Sequence, residues 1–172
     1  MNSPSPPPDA NAVPVIDTSH AGFITRGVSI SISSCGAERV PSIARGLGCR
    51  VSPDRHTVTV LVSKKQADEV LRHVRERAVI AVSFSEPVQQ RALQLKGQDA
   101  STANATPADL QLALRYRDSY AQQLRLLGME ARLIETLLAC AAPDLASITF
   151  SPTQAFAQTP GPNAGQALLV HA

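Results

Sequence analysis

Aromatic side chains are scarce in this chain of 172 residues: they make up 3% of it, and tryptophan is absent. The core must therefore be built from Val, Ile, Leu and Ala, and a hydrophobic share of 44% is sufficient for one ordinary domain. The net charge is also small: at +2, it supplies no basic face of the kind that duplex DNA requires. No stretch approaches the roughly 18 consecutive apolar residues that span a bilayer.

Motifs that carry common chemistries are also missing. The cysteines show no C-x-x-C spacing, which argues against a disulfide framework or a zinc site and favours a reducing, cytoplasmic setting. The histidines occur in no metal-ligand spacing, and the chain has no P-loop, G-x-S-x-G or G-x-G-x-x-G. The cysteines are Cys35, Cys49 and Cys140, and the histidines are His20, His56, His73 and His171. We therefore expect no metal site, and the catalytic residues stay undefined.

The first residues form a proline-rich segment. The chain begins MNSPSPPPDANAVP, with neither a basic start nor an apolar run, so this segment does not resemble a secretory signal peptide. Its closely spaced prolines favour an extended arm. We predict a disordered arm over residues 1–18 and a single domain over 19–172.

The front of the domain reads as antiparallel strands. Residues 28–33 are V-S-I-S-I-S, in which Val28, Ile30 and Ile32 would face the core and the serines would face away from it. The same reasoning applies further along the chain. Strands are predicted over 23–33, 39–44, 49–51, 57–62, 78–84, 91–97 and 147–150.

Helical periodicity follows and interrupts these strands. Apolar residues recur at i, i+3, i+4 and i+7 from Ala67, and Ser63 with Gln66 forms a possible capping box. Helices are predicted over 63–77, 107–127 and 130–141, and a loop over 98–105. The order predicts a mainly β (α+β) fold: a barrel of Greek-key-like antiparallel strands with one short inserted helix and two C-terminal helices. A doubly wound parallel sheet is disfavoured because crossover helices do not alternate with the early strands.

Two lysines create a charge conflict at the start of the predicted inserted helix. Lys64 and Lys65 would lie in its first turn, where the helix dipole disfavours each cation by about 0.3–1 kcal/mol. A bound anion would remove the conflict, because backbone N–H groups, the Ser63 hydroxyl and both ammonium groups would converge on it. These three residues are candidates for a phosphate site. The alternative is a pair of solvated lysines.

Four more polar residues are candidates for ligand contacts. Gln94 and Lys96 share one side of their predicted strand, and a glutamine amide can donate to and accept from a heterocycle. Arg91 begins the same strand. Arg45 precedes a Gly-Leu-Gly segment, and its guanidinium could form bidentate hydrogen bonds to a phosphate. All four residues are also compatible with a solvated surface.

Taken in order, these segments resemble the pyridoxamine 5′-phosphate oxidase-like family of FMN-binding split barrels. The resemblance extends over residues 20–168, and the order and spacing of its pieces carry it. The last piece is similar to the tail of an uncharacterised branch of the family. The pieces are G-V-S-I-S-I-S, V-P-S-I-A-R-G-L-G-C-R-V-S-P-D-R-H-T-V-T-V-L-V, S-K-K-Q-A, I-A-V-S-F-S-E-P, R-A-L-Q-L-K-G and F-A-Q-T-P-G-P-N-A-G.

The resemblance implies a split β-barrel that forms a homodimer with FMN at the subunit interface, and an FMN-dependent oxidoreductase activity. The chain lacks the tryptophan and the C-terminal basic motif expected of a true pyridoxamine phosphate oxidase, which argues against vitamin B6 oxidation. The alternatives are a non-catalytic flavin- or haem-binding module and a cofactor-free dimeric scaffold. The resemblance implies that Arg45, Ser63, Lys64 and Lys65 hold the phosphate, and that Arg91, Gln94 and Lys96 lie near the flavin ring.

Overall fold

A computed structural model describes residues 16–168 of the chain. The predicted arm up to residue 15 therefore lies outside the described residues. The last residues assigned to the arm are structured, since Ile16 is buried and the Asp17 carboxylate caps the first helix by accepting the His20 N–H at 2.7 Å. The elements are α1 (Thr18–Ile24), β1 (Ser29–Cys35), β2 (Pro41–Val51), β3 (Val58–Ser63), α2 (Asp68–Arg77), β4 (Ile80–Ser85), β5 (Ala92–Gly97), β6 (Ser101–Asn104), α3 (Pro107–Leu126), α4 (Ala131–Leu137), a 3₁₀ turn (Ala142–Asp144), β7 (Leu145–Phe150) and β8 (Gln154–Ala157).

The strands form one antiparallel sheet of eight, in the order β6-β7-β3-β2-β1-β4-β5-β8. The sheet does not close, but it curls until strands far apart in this order meet. A Cβ on Gly97 of β5 would lie 2.7 Å from Cδ2 of Phe150 on β7. The predicted mainly β split barrel is therefore confirmed.

The alternation read from the sequence fixes which side of the sheet faces the core. On β1, Ile30 and Ile32 are fully buried while the intervening serines are partly exposed. Phe84 of β4 and Leu95 of β5 are also fully buried on the inner side. Helix α2 packs on this core through Val70, Leu71 and Val74.

A bulge joins two predicted strands into one. The segment predicted over 39–44, from residue 41 onward, and the one predicted over 49–51 are both part of β2, whose register to β3 shifts between Gly46 and Gly48. Close packing requires glycine at position 46, because a Cβ on Gly46 would lie 2.5 Å from Cγ2 of Ile30. The bulge lets an 11-residue strand bend around the core.

Helix α3 packs on the outer side of the sheet at β2, and α4 packs on α3. A small apolar cluster of Leu47, Leu61 and Leu145 packs there against Leu110 and neighbouring residues of α3. The start of α3 agrees with its sequence: Thr106 forms a reciprocal capping box with Asp109, and Pro107 follows at the first helical position. The helix predicted over 130–141 is shorter, because α4 ends at Leu137.

The prediction of a loop over 98–105 is wrong for residues 101–104. Ser101–Asn104 forms the edge strand β6, which pairs with β7. Backbone hydrogen bonding to an existing strand outweighs the low strand propensity of these small polar residues. The edge strand β8 and helix α1 are further elements that the sequence analysis did not predict.

Candidate functional site

Backbone register aligns several polar side chains across four strands. Ser31 of β1 lies opposite Arg45 of β2 on one side and opposite Ser83 of β4 on the other, and Ser83 lies opposite Gln94 of β5. Neighbouring strands are about 4.8 Å apart, so this row runs about 14 Å from β2 to β5. Two predicted site residues, Arg45 and Gln94, thus belong to one row on the outer side of the sheet.

We call the outward side of β1, β4 and β5 the open face. Its side chains are small or polar, and all are partly exposed, in contrast to the outer side of β2 under α3. The result is a shallow polar surface lined by hydroxyl groups, one amide and one ammonium group. Its residues are Ser29, Ser31, Ser33, Ala81, Ser83, Ser85, Ala92, Gln94 and Lys96.

Two predicted ring contacts, Gln94 and Lys96, lie on the open face. The Gln94 Nε2 donates to the Ser83 hydroxyl at 3.2 Å, which fixes the amide with its oxygen available as an acceptor. The Lys96 ammonium lies 4.7 Å from the ring centre of Phe156, on the neighbouring strand β8. A cavity of about 320 Å³ borders Lys96, Ser33 and Gln154 at this end of the open face.

Arg91, the third residue expected near the ring, is not part of this arrangement. It lies just before β5, and its guanidinium stacks 4.5 Å from the ring centre of Phe23 in α1. Phe23 itself is 1% exposed. Arg91 therefore packs α1 against the barrel instead of joining Gln94 and Lys96.

The start of the inserted helix differs from the prediction. Helix α2 begins at Asp68, whereas Ser63 is the last residue of β3 and pairs with Leu145 of β7. The sheet ladder holds the Ser63 backbone in strand geometry, so its hydroxyl supports a turn and not a helix start when it accepts the Gln66 N–H at 3.2 Å. The first turn of α2 carries Asp68 and Glu69, which suit the helix dipole. The charge conflict inferred for Lys64 and Lys65 therefore does not exist.

The Ser63 hydroxyl and the turn behind it bind a carboxylate of this same chain. Ser63 Oγ donates to Oδ2 of Asp144 at 2.5 Å, and the Lys65 N–H donates to Oδ1 at 3.1 Å. We call these two donors the cradle. The Ser63 hydrogen bond, followed by the N–H and charge of Lys65, lowers the pKa of Asp144, which is therefore ionised at neutral pH.

Lys64 and Lys65 follow Ser63, and both donate hydrogen bonds to the 3₁₀ turn Ala142–Asp144. The Lys64 backbone N–H donates to the Asp144 carbonyl at 2.7 Å, and its ammonium donates to the Pro143 carbonyl at 2.9 Å. The Lys65 side chain is exposed. Sequence reasoning missed Asp144, because it lies 81 residues beyond Ser63 and only the β3–β7 pairing brings the two together.

The cradle lies beside Arg45. Ser63 follows Val62, and Val62 pairs with Gly46, the residue after Arg45. The β2–β3 ladder ends at this pair, so Arg45 and Ser63 are the residues next to the last paired residues of their two strands. Arg45 forms no ion pair with any residue between 16 and 168. It is a cation between the open face and the cradle.

Between residues 16 and 168, no group of three or more His, Cys, Asp or Glu side chains is placed to hold a metal ion. Every helix in that range is too short or too polar to cross a lipid bilayer.

Neither a protein-family model nor a curated protein matches the chain. Solved structures do share its fold. HupZ from Group A Streptococcus matches with a TM-score of 0.52 at 13% identity, over 87% of this chain and 99% of that one. An F420 reductase matches with a TM-score of 0.52 at 13% identity, over 81% and 98% of the two chains. A pyridoxamine 5′-phosphate oxidase-related, FMN binding protein from Nostoc punctiforme PCC 73102 matches with a TM-score of 0.51 at 12% identity, over 94% and 100%.

These matches define the fold class. The chain has the split β-barrel fold of these solved structures, one of which is described as a pyridoxamine 5′-phosphate oxidase-related, FMN binding protein, so the fold implied by the resemblance in the sequence is confirmed. The two parts of FMN fit its residues differently. A polar heterocycle fits the open face, where an amide, hydroxyls and a cation are available. A phosphate does not fit the cradle, because the Asp144 carboxylate already accepts its donors.

Proposed function

We propose that this protein binds a flavin, with the ring on the open face. The observation that carries the proposal is the single row formed by Arg45, Ser31, Ser83 and Gln94, with Lys96 two residues further along β5 on the same side. The fold shared with a protein described as FMN binding and with an F420 reductase supports a ligand of the flavin type.

Each residue of this row has a distinct part in the proposal. The Gln94 amide, held by Ser83, offers a hydrogen-bond acceptor to a ring N–H. Lys96 supplies a positive charge beside the ring, which favours an electron-rich, anionic state of a bound heterocycle. A flavin supplies hydride- and electron-transfer chemistry, while the protein binds and orients it. The reaction class that follows is an FMN-dependent oxidoreductase, with Arg45 as the residue nearest to the phosphate end.

Flavin binding is tested by titrating the full-length protein with FMN and following the flavin fluorescence. We expect saturable quenching with one flavin per chain and a dissociation constant of about 10 μM or below, equivalent to about −7 kcal/mol. A parallel titration with haem separates the two cofactor classes. Saturable haem binding without any response to FMN, or no response to either ligand, would contradict the proposal.

We further propose that a second copy of the chain covers the edge of the open face. Ile43 lies opposite Ser33 on the neighbouring strand and is 72% exposed, and nearby Val40 is 60% exposed. Large exposed apolar side chains beside a shallow sheet surface are typical of an interface, and a twofold contact between identical faces is the commonest arrangement.

The dimer is tested by light scattering coupled to gel filtration. We expect twice the mass of the chain for the wild type, and the mass of one chain for Ile43→Lys, because the new charge would be buried in the contact. Val88→Lys is the matched control: Val88 is 46% exposed but lies in the turn between β4 and β5. A monomeric wild type, or a dimer that Ile43→Lys leaves intact, would refute the proposed contact.

A further inference from the structure

The cradle presents to Asp144 the same kinds of donor that proteins present to a phosphate. A serine hydroxyl and a backbone N–H meet the two carboxylate oxygens. The Cys140 thiol adds a third, weaker contact, with Sγ 3.9 Å from Oδ2 of Asp144. Burial and the charge of Asp144 raise the pKa of Cys140, so this thiol stays protonated and can donate. The donors expected for a ligand anion are thus used within the chain.

The position of Asp144 is determined by the fold and does not depend on its side chain alone. Its carbonyl accepts the Lys64 N–H at 2.7 Å, and the next residue, Leu145, pairs with Ser63 in the sheet. Asp144 is therefore held at the end of the β3–β7 ladder, next to the cradle. A phosphate could enter only by displacing it, and the two negative charges would repel each other at contact distance.

We infer that Asp144 is a specificity-determining residue that keeps a phosphate out of the cradle, so that the protein selects its flavin by the ring and hardly by the phosphate. This inference rests on the proposed flavin binding. It predicts that riboflavin, which has the same ring and a neutral chain end, binds nearly as well as FMN.

The test compares both flavins with the wild type and with Asp144→Ala, by fluorescence titration of the full chain. For the wild type we expect dissociation constants for FMN and riboflavin within about threefold of each other. Asp144→Ala leaves the Ser63 hydroxyl and the Lys65 N–H open to a phosphate. FMN should then bind at least about tenfold more tightly, with riboflavin changed by less than about twofold.

Three variants make the result specific. Asp118→Ala removes an exposed carboxylate from α3 and should change neither affinity. Adding Ser63→Ala to Asp144→Ala should cancel most of the gain for FMN, because the cradle then lacks its hydroxyl. Asp144→Asn keeps the size of the side chain and one acceptor oxygen but removes the charge and the second acceptor, and it serves if the alanine variant fails to fold. It should show a smaller gain in the same direction.

Binding of inorganic phosphate tests the cradle without any flavin. Phosphate should raise the melting temperature of Asp144→Ala by at least about 3 °C more than that of the wild type. If neither flavin binds, the proposed function fails, and the phosphate comparison alone decides this inference. A wild type that prefers FMN over riboflavin by tenfold or more, or an equal phosphate shift in both proteins, would overturn it.

Discussion

Replacing Ser83 by phenylalanine should abolish flavin binding while leaving the barrel folded. Ser83 lies at the centre of the polar row, between Ser31 and Gln94, and its hydroxyl positions the Gln94 amide at 3.2 Å. A phenyl group here would occupy the surface on which we place the ring, and it would remove the hydrogen bond. We expect the dissociation constant to rise at least about a hundredfold, equivalent to about 2.7 kcal/mol.

The size of the new side chain, and not the loss of the hydroxyl, should cause this effect. Ser83→Ala keeps the surface open and removes one hydrogen bond between neutral groups, so it should weaken binding by about tenfold at most. Both variants should unfold within a few degrees of the wild type, since Ser83 points away from the core. Normal flavin affinity in Ser83→Phe would show that the ring does not lie on the open face.

Phe84→Ala, one residue further along β4, should affect stability instead. Phe84 is fully buried and lies opposite Ile30 on one side and Leu93 on the other. Truncating a buried phenylalanine costs about 3–5 kcal/mol, because apolar contacts are lost and a cavity remains. The fall in the free energy of unfolding is measured by urea denaturation, and it is large against a typical total of about 5–15 kcal/mol.

Ser85→Ala is the matched control on the same strand. Ser85 points outward and is partly exposed, so its truncation should change the free energy of unfolding by no more than about 0.5 kcal/mol. A loss below about 1 kcal/mol for Phe84→Ala would contradict the inward orientation of this strand. The contrast between three consecutive residues follows directly from the period of two along β4.

The sequence predicted correctly the strands in which apolar and polar residues alternate strictly. The V-S-I-S-I-S segment became β1 with its isoleucines buried, and Gln94 and Lys96 emerged on the outer side of β5, as their alternation with Leu93 and Leu95 requires. Side-chain periodicity survives folding because a slip by one residue would expose the whole apolar set.

Features that depend on distant pairing could not be read from the sequence. Ser63 looks like a helix cap, and only its pairing with Leu145 keeps it in a strand. Ser101–Asn104 becomes a strand because β7 offers backbone partners. The alignment of Arg45 with Gln94 is set by the register of three strand pairs, and no local signal marks Asp144 as the partner of the cradle.

A crystal structure of the full-length protein reconstituted with a flavin tests the central claim most directly. The account predicts the ring over β1, β4 and β5, in contact with Gln94 and near Lys96, with the Ser63–Asp144 hydrogen bond still in place. A ring bound at any other surface would contradict it.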